Sequence, residues 1–283
     1  LVKCKTIDLE VPAYAEMVFE GTLSTNEVEP EAPFGETHGY MGRRAFMPFF
    51  TVSCITHRKN PVFQAFLSQY PPSESTGIKL PGHDSGLYKY LKHDCKQSWV
   101  VEVAHHEATS ALGHITIKVA NTEQDNVWAT LEEAAEFSRT RPMTKIIVAV
   151  DDDIAIHDPD SINWAMTTRM EPHRDCRIKT GREVSFLDQT VDTQEDHAKR
   201  DYSDDSQKTS LLLINATMKW PYTPVSLPKK EFMEKAIQIW EEEKLPALTL
   251  KEPWWGAQLG YWPSDWDEHA VMAVKGDYKL VGD

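Results

Sequence analysis

Lys145-Ile146-Ile147-Val148-Ala149-Val150-Asp151-Asp152-Asp153 is the stretch on which the fold turns. A strand with one face in water alternates apolar and polar residues. This run is apolar without interruption and ends abruptly in aspartates. It reads as a parallel strand buried on both faces, with polar residues at its carboxyl end. Parallel strands need crossover connections, usually helical. The flanks agree. Val127–Arg139 reads as a helix, with Ala129, Leu131, Ala134, Ala135 and Phe137 on its apolar side. Asp160–Met170 reads as another, with Asp160 or Ser161 as its N-cap. Ser98–Ala104, His114–Val119 and Ser210–Asn215 read as further strands, so the alternation implies an α/β layer.

Upstream, Leu1–His93 reads as β-rich. Ala15–Leu23, Phe49–Arg58 and Val62–Leu67 are the expected strands. Pro71–Ser75 and Leu80–Gly86 are expected loops. The spacing suits an antiparallel barrel or sandwich. The chain opens on Leu1-Val2-Lys3-Cys4-Lys5-Thr6, which looks like the inside of a strand and carries no initiator methionine. That opening implies a lost upstream segment or a split subunit. Downstream, Lys229–Leu245 reads as a helix with Phe232, Ala236, Ile239 and Trp240 on one face. The tail, Ala247–Asp283, holds Trp254, Trp255, Trp262 and Trp266 with no clear period, as expected of a segment packed on a subunit neighbour or closing over an active site. The expected division is residues 1–96, 97–228 and 229–283.

Composition excludes several classes. A net charge of -14 repels phosphate backbones, so nucleic-acid binding is not expected. No apolar run approaches the roughly eighteen residues of a membrane span. Cys4, Cys54, Cys95 and Cys176 are widely spaced with no CxxC pair, and read as free thiols in the reducing cytoplasm. Asp192–Asp205 reads as an exposed loop. No glycine-rich nucleotide fingerprint, Walker loop or GxSxG elbow occurs.

Two kinds of cluster remain. Asp151-Asp152-Asp153 with His157 and Asp158 offers ligands suited to a metal ion, but acids at a strand end more often cap the next turn. His105-His106-Glu107 lacks a second cluster at ligand spacing and reads as a strand end. The other is Glu29-Pro30-Glu31-Ala32-Pro33-Phe34-Gly35-Glu36-Thr37-His38-Gly39-Tyr40. Its prolines and glycines make it a stiff loop presenting Glu31 and Glu36. Two neighbouring carboxylates push each other's pKa apart, which leaves one protonated and able to act as an acid. Spacing alone favours a solvated acidic loop; the stiffening favours function.

The chain resembles the UbiD-like decarboxylases. The resemblance rests on Val11–Gly21 followed by Glu31–Tyr40, on Ile55-Thr56-His57-Arg58-Lys59-Asn60-Pro61-Val62-Phe63, and on Val150–Ile154, Trp164–Met170 and Asn215-Ala216-Thr217. It covers most of Leu1–Glu243 and corresponds to the family's C-terminal half. It implies part of a split flavin-reductase-like β-barrel, then an α/β domain that makes oligomer contacts, then the C-terminal helix and aromatic tail. It implies reversible decarboxylation of an aromatic or unsaturated acid on prenylated FMN. Carbon dioxide leaves a transient substrate–flavin adduct, and a glutamic acid reprotonates the carbon. Glu31 and Glu36 fall on the glutamates of the family's Glu–Arg–Glu network, with Glu36 as proton donor. Ser68 falls where the family's chain passes the flavin, and Lys208 is the nearest candidate for a lysine beside the cofactor. The network arginine, the ligands of a divalent Mn or Mg ion and of K, and most of the phosphate site lie in the family's N-terminal half. The implied partners are that N-terminal half, further copies of the chain, and a flavin prenyltransferase supplying the cofactor. The alternative is a non-catalytic assembly subunit.

Overall fold

The computed structural model describes residues 1–42, 44–185, 187–191, 208–250, 263–277 and 279. They fall into two compact units. One comprises Leu1–Lys79 with Glu107–Ser110, the other Leu80–His106 with Ala111–Asp283.

The second unit is built on the stretch read first. Its five-stranded sheet comprises β5 (Val100–His105), β6 (His114–Val119), β7 (Ile146–Asp151), β8 (Cys176–Arg182) and β9 (Thr209–Ala216), in the order β5-β6-β7-β9-β8. β7 runs parallel to both β6 and β9, while β5 and β8 close the edges antiparallel. Central placement explains the sequence of β7, where Ile147, Val148, Ala149 and Val150 are all fully buried. One face of the sheet carries Ile115, Ile117, Ile147, Leu211 and Leu213 against Leu131 and Ala134 of α2 (Gln124–Phe137). The other face packs Val148, Val150, Ile214 and Ala216 with Ile154, Ile156 and Ala165, the last from α3 (Pro159–Arg169). Each fully buried Leu or Ile contributes roughly 1.5–3 kcal/mol. A short α4 (Pro172–Asp175) leads into β8. The cap of α3 is Asp158, not Asp160 or Ser161: its carboxylate accepts from Ser161 N at 3.0 Å and from Ser161 Oγ at 2.6 Å. Pro159 at the first helical position displaces the start from the expected residues.

The first unit contains β1 (Val2–Lys3) paired with β2 (Glu10–Val11), and β3 (Met17–Glu31) paired antiparallel with β4 (Ala45–His57). β3 runs eight residues beyond the expected end at Leu23, so Glu29–Glu31 is strand rather than loop. Pro30 is tolerated because the ribbon has only two strands among the described residues. Val62–Leu67 is not a strand. Its backbone donors go to side chains instead, Val62 N to Glu16 at 3.1 Å and Leu67 N to Glu74 at 3.2 Å.

Leu80–Gly86 is not a loop. It lies inside α1 (Glu74–Lys89), which runs through Pro81. Anchoring overrides the local signals: Asp84 accepts from the backbone N of His105 at 2.7 Å and bonds its Nδ1 at 2.8 Å, and Leu87 is fully buried. The expected C-terminal helix is present as α5 (Lys230–Glu242), with Phe232 and Ile239 exposed. The tail forms an unforeseen helix, α6 (Ser264–Val274), bearing Trp266. Trp254, Trp255 and Trp262, and the Asp192–Asp205 run, lie outside the described residues. No helix among the described residues is long and apolar enough to cross a membrane.

Candidate active site

Between β3 and β4 the chain makes a nested turn. Gly42 N donates to Phe34 O at 2.8 Å, Glu36 N to Tyr40 O at 3.0 Å, and Gly39 N to Glu36 O at 2.9 Å. Gly39 closes it with φ of +92°, a backbone conformation that other residues adopt only at a cost. Glu36 opens this turn and is half-buried, whereas Glu31 ends β3 and is exposed. Of the two expected acids, Glu31 ends a strand and Glu36 is held in the turn that follows.

What the turn does approach is the segment before α1. A Cβ on Gly35 would lie 2.5 Å from Ser68 O, and one on Gly39 would lie 2.9 Å from the Tyr70 ring. Gly42 passes the Glu36 side chain itself, its virtual Cβ 3.6 Å from Oε1. Ser68 thus stands beside the turn that carries Glu36. Its hydroxyl begins a chain of contacts, Ser68 Oγ to Ser75 Oγ at 3.3 Å and Ser75 Oγ to Ser73 Oγ at 3.1 Å. Thr76 Oγ1 continues it, donating to Ser73 O at 2.8 Å and lying 3.2 Å from a Glu107 carboxylate oxygen.

One residue absent from the sequence reading belongs here. Burial pulls the Lys79 ammonium below the ordinary lysine range, and the negative charge of Glu36 draws it part of the way back. Lys79 was hidden because Gly77 and Pro81 surround it with the signals of a loop. Helical spacing from Ser75 and Thr76, on the same first turns of α1, was the signal able to reveal it.

A second carboxylate of this unit has a structural role. Glu20 is 1% exposed. It accepts from Lys5 N at 2.7 Å, from Thr6 N at 2.6 Å and from Thr6 Oγ1 at 2.7 Å. Those donors, the Lys5 amide first, hold its carboxyl below the usual range.

Lys208 belongs to the other unit. It precedes β9 on the rim of a cavity of about 550 Å³, together with Lys145, Thr180 and Thr190. The aspartates after β7 form an ion-pair cluster. Arg169 donates to Asp151 at 2.6 Å and to both oxygens of Asp153 at 2.7 and 2.6 Å. His157 bonds Glu102 at 3.0 Å, and Asp158 caps α3. Among the described residues no group of three or more His, Cys, Asp or Glu is arranged to hold a metal ion.

Comparison with known proteins places this architecture. Residues 1–71 match the 3-octaprenyl-4-hydroxybenzoate carboxy-lyase Rift-related domain, and residues 82–209 match the C-terminal domain of the same carboxy-lyases. The chain belongs to the UbiD family. An uncharacterised Synechocystis protein, sll0936, is 33% identical over 193 residues, which is 66% of this chain and 37% of that protein. The UbiD-class enzyme HmfF from Pelotomaculum thermopropionicum, solved in complex with FMN, is 26% identical with a TM-score of 0.65, covering 83% of this chain and 49% of HmfF. An evolved dimeric form of HmfF, in complex with prFMN, is 27% identical with a TM-score of 0.61, covering 80% of this chain and 45% of that one. Vanillic acid decarboxylase of Sedimentibacter hydroxybenzoicus shares the fold, at 24% identity and a TM-score of 0.67. The chain spans about half or less of these relatives' own length.

Proposed function

We propose that this chain supplies the proton-donating side of a reversible, prenylated-FMN-dependent decarboxylase of an aromatic or unsaturated carboxylic acid. The observation that carries it is the nested turn that fixes Glu36, packed through Gly35 on the Ser68 backbone, with the Glu36 charge acting on Lys79. HmfF, a family member, has been solved with FMN and with prFMN. The residues of this unit fit the reacting end of such a group. They offer a half-buried acid, a serine and exposed apolar side chains such as Phe63 and Phe66, on which a planar ring can lie. They do not fit its phosphate end, for the turn presents the carboxylate of Glu36, whose charge the Lys79 ammonium already feels. That end, the network arginine and the Mn or Mg and K ligands are assigned to an N-terminal half, which also completes the split barrel begun by β3 and β4.

The bound flavin supplies an electron sink for the departing carboxylate's electrons. The chain's own residues handle the proton. Glu36 carries it as a carboxylic acid on Oε and delivers it to the carbon that carbon dioxide has left. Lys79, beside it, offsets the carboxylate that remains. Glu31 supplies supporting charge from the end of β3, and Ser68 and the turn hold Glu36 in position. Run backwards, Glu36 takes the proton and the product is carboxylated. Lys208 is kept as a cofactor contact.

Reconstitution with an N-terminal half and prenylated FMN tests this. Glu36→Gln keeps the shape of the side chain and removes the proton, so decarboxylation should fall by about 10²–10⁴-fold. Hydrogen–deuterium exchange at the reacting carbon should fall with it. Full activity in Glu36→Gln would instead leave the chain an assembly subunit.

A further inference from the structure

Helix α5 has an apolar side that the described residues leave unburied. By helical spacing Phe232, Met233, Ala236, Ile239 and Trp240 share one face, yet no residue of the helix is buried, and Phe232 and Ile239 are 61% and 50% exposed. Leu245, Leu248 and Leu250, just beyond its end, are exposed as well, so the apolar surface continues. Helices in proteins owe most of their stability to packing such a face, so α5 calls for a partner.

Its charges indicate which partner. Lys229 and Lys230 stand at its amino end and Glu241, Glu242 and Glu243 at its carboxyl end, with no basic residue in the last turn. That order opposes the helix dipole, which favours acids at the amino end and bases at the carboxyl end. The lysines' partners within the chain do not account for it. Lys229 pairs with Asp267 at 3.1 Å and Lys230 with Glu234 at 3.8 Å, both exposed pairs of the kind that contributes little. The order does suit a second α5 running the opposite way. About a two-fold axis at Ala236, residues equidistant from it in sequence oppose one another. Phe232 meets Trp240, Met233 meets Ile239, Lys229 meets Glu243 and Lys230 meets Glu242. Ala236, the smallest side chain on the face, sits at the crossing, where the helices come closest. Glu231 and Glu241 would repel, but helical spacing puts both on the far side. Antiparallel packing also sets the two dipoles head to tail. A parallel pair would instead set lysine against lysine and glutamate against glutamate.

We infer that the apolar face of α5 is a self-complementary interface on which a second copy of this chain docks, the two helices antiparallel about an axis at Ala236. The inference does not depend on the decarboxylase reading.

Sedimentation equilibrium of the full 283-residue chain tests it through the charges alone. The wild type should dimerise. Reversing one end, Lys229→Glu with Lys230→Glu, sets acid against acid in the antiparallel pair and should weaken the dimer at least about tenfold. Reversing the other end, Glu242→Lys with Glu243→Lys, should do the same. Each change brings the helix closer to what its own dipole favours, so a lost dimer cannot be put down to a lost helix, and circular dichroism should stay that of the wild type. All four substitutions in one chain should restore the dimer, and the two single-end variants, once mixed, should prefer each other to themselves. The inference is overturned if the wild type stays monomeric at about 100 μM, if neither reversal weakens its dimer, or if the four substitutions together fail to restore it. An α5 covered by another segment or by a different protein would give the first or the second of those results.

Discussion

At Gly35 a single methyl group would disturb the Glu36 turn. The atom it meets, Ser68 O at 2.5 Å, is backbone and cannot rotate aside. Gly35→Ala should therefore displace the turn at a cost of about 1–3 kcal/mol. Amide exchange at Glu36 and Gly42, both bonded inside the turn, should accelerate measurably. Gly77→Ala, which meets nothing within 4 Å in α1, is the control and should be neutral or mildly stabilising. His114 offers a second single-residue test. Burial first, and the neighbouring His106 ring at 4.5 Å second, lower its pKa to about 4 from 6.5. The folded state thus resists a proton that the unfolded state accepts. The resulting stability is present above pH 6.5 and lost as pH falls towards 4, by about 3 kcal/mol. Urea midpoints of His114→Gln should fall less than wild type between pH 7.5 and 4.5; equal falls would remove His114 as the cause. Glu31 and Glu36 were legible because acids, prolines and glycines crowd one short stretch. Their different settings, a strand end for Glu31 and a turn for Glu36, were not, because whether Pro30 ends a strand depends on β4, which lies beyond local sequence.

Elements follow the same division between local and distant causes. β7 was readable from its unbroken apolar run because a central strand has no solvent face to encode. α1 was misread because its Gly and Pro content speaks locally, while Asp84, Leu87 and Leu91 hold it through partners elsewhere in the unit. Val62–Leu67 has the composition of a strand but no strand beside it among the described residues. The loop after β7 was readable as structural, yet its partner was not. Arg169 comes from the far end of α3 and is 2% exposed while holding Asp151 and Asp153. Arg169→Leu should cost about 3–5 kcal/mol, since it leaves two acids close together and uncompensated. Adding Asp153→Asn should recover part of that loss, and a chemical-denaturation cycle over the two sites reads the coupling. Additive losses would show that Arg169 acts through packing on Trp164, 5.2 Å away, rather than through charge.

On the scale of the molecule the two units differ in what they bury. Every buried aliphatic or aromatic side chain among the described residues, proline aside, lies from Leu87 onward, so the first unit has none. Phe19, Leu23, Val28, Phe46, Phe50, Val52 and Ile55 on its long ribbon are all exposed, far more contiguous apolar surface than a free ribbon tolerates. The second unit has a packed layer on each face of its sheet. The chain also spans only 37–49% of the length of sll0936 and HmfF. These facts lead to a prediction about the whole assembly under the proposed function. Hydrogen exchange on the chain alone should find β6, β7 and β9 strongly protected and β3 and β4 exchanging within seconds to minutes. Adding an N-terminal half should protect β3 and β4 by several orders of magnitude and leave β6, β7 and β9 little changed. If β3 and β4 were equally protected without it, the ribbon would be stable unaided and the proposed completion of the barrel would lose its physical basis. If they stayed unprotected with it, that half would not be what covers Phe19, Phe46 and Ile55.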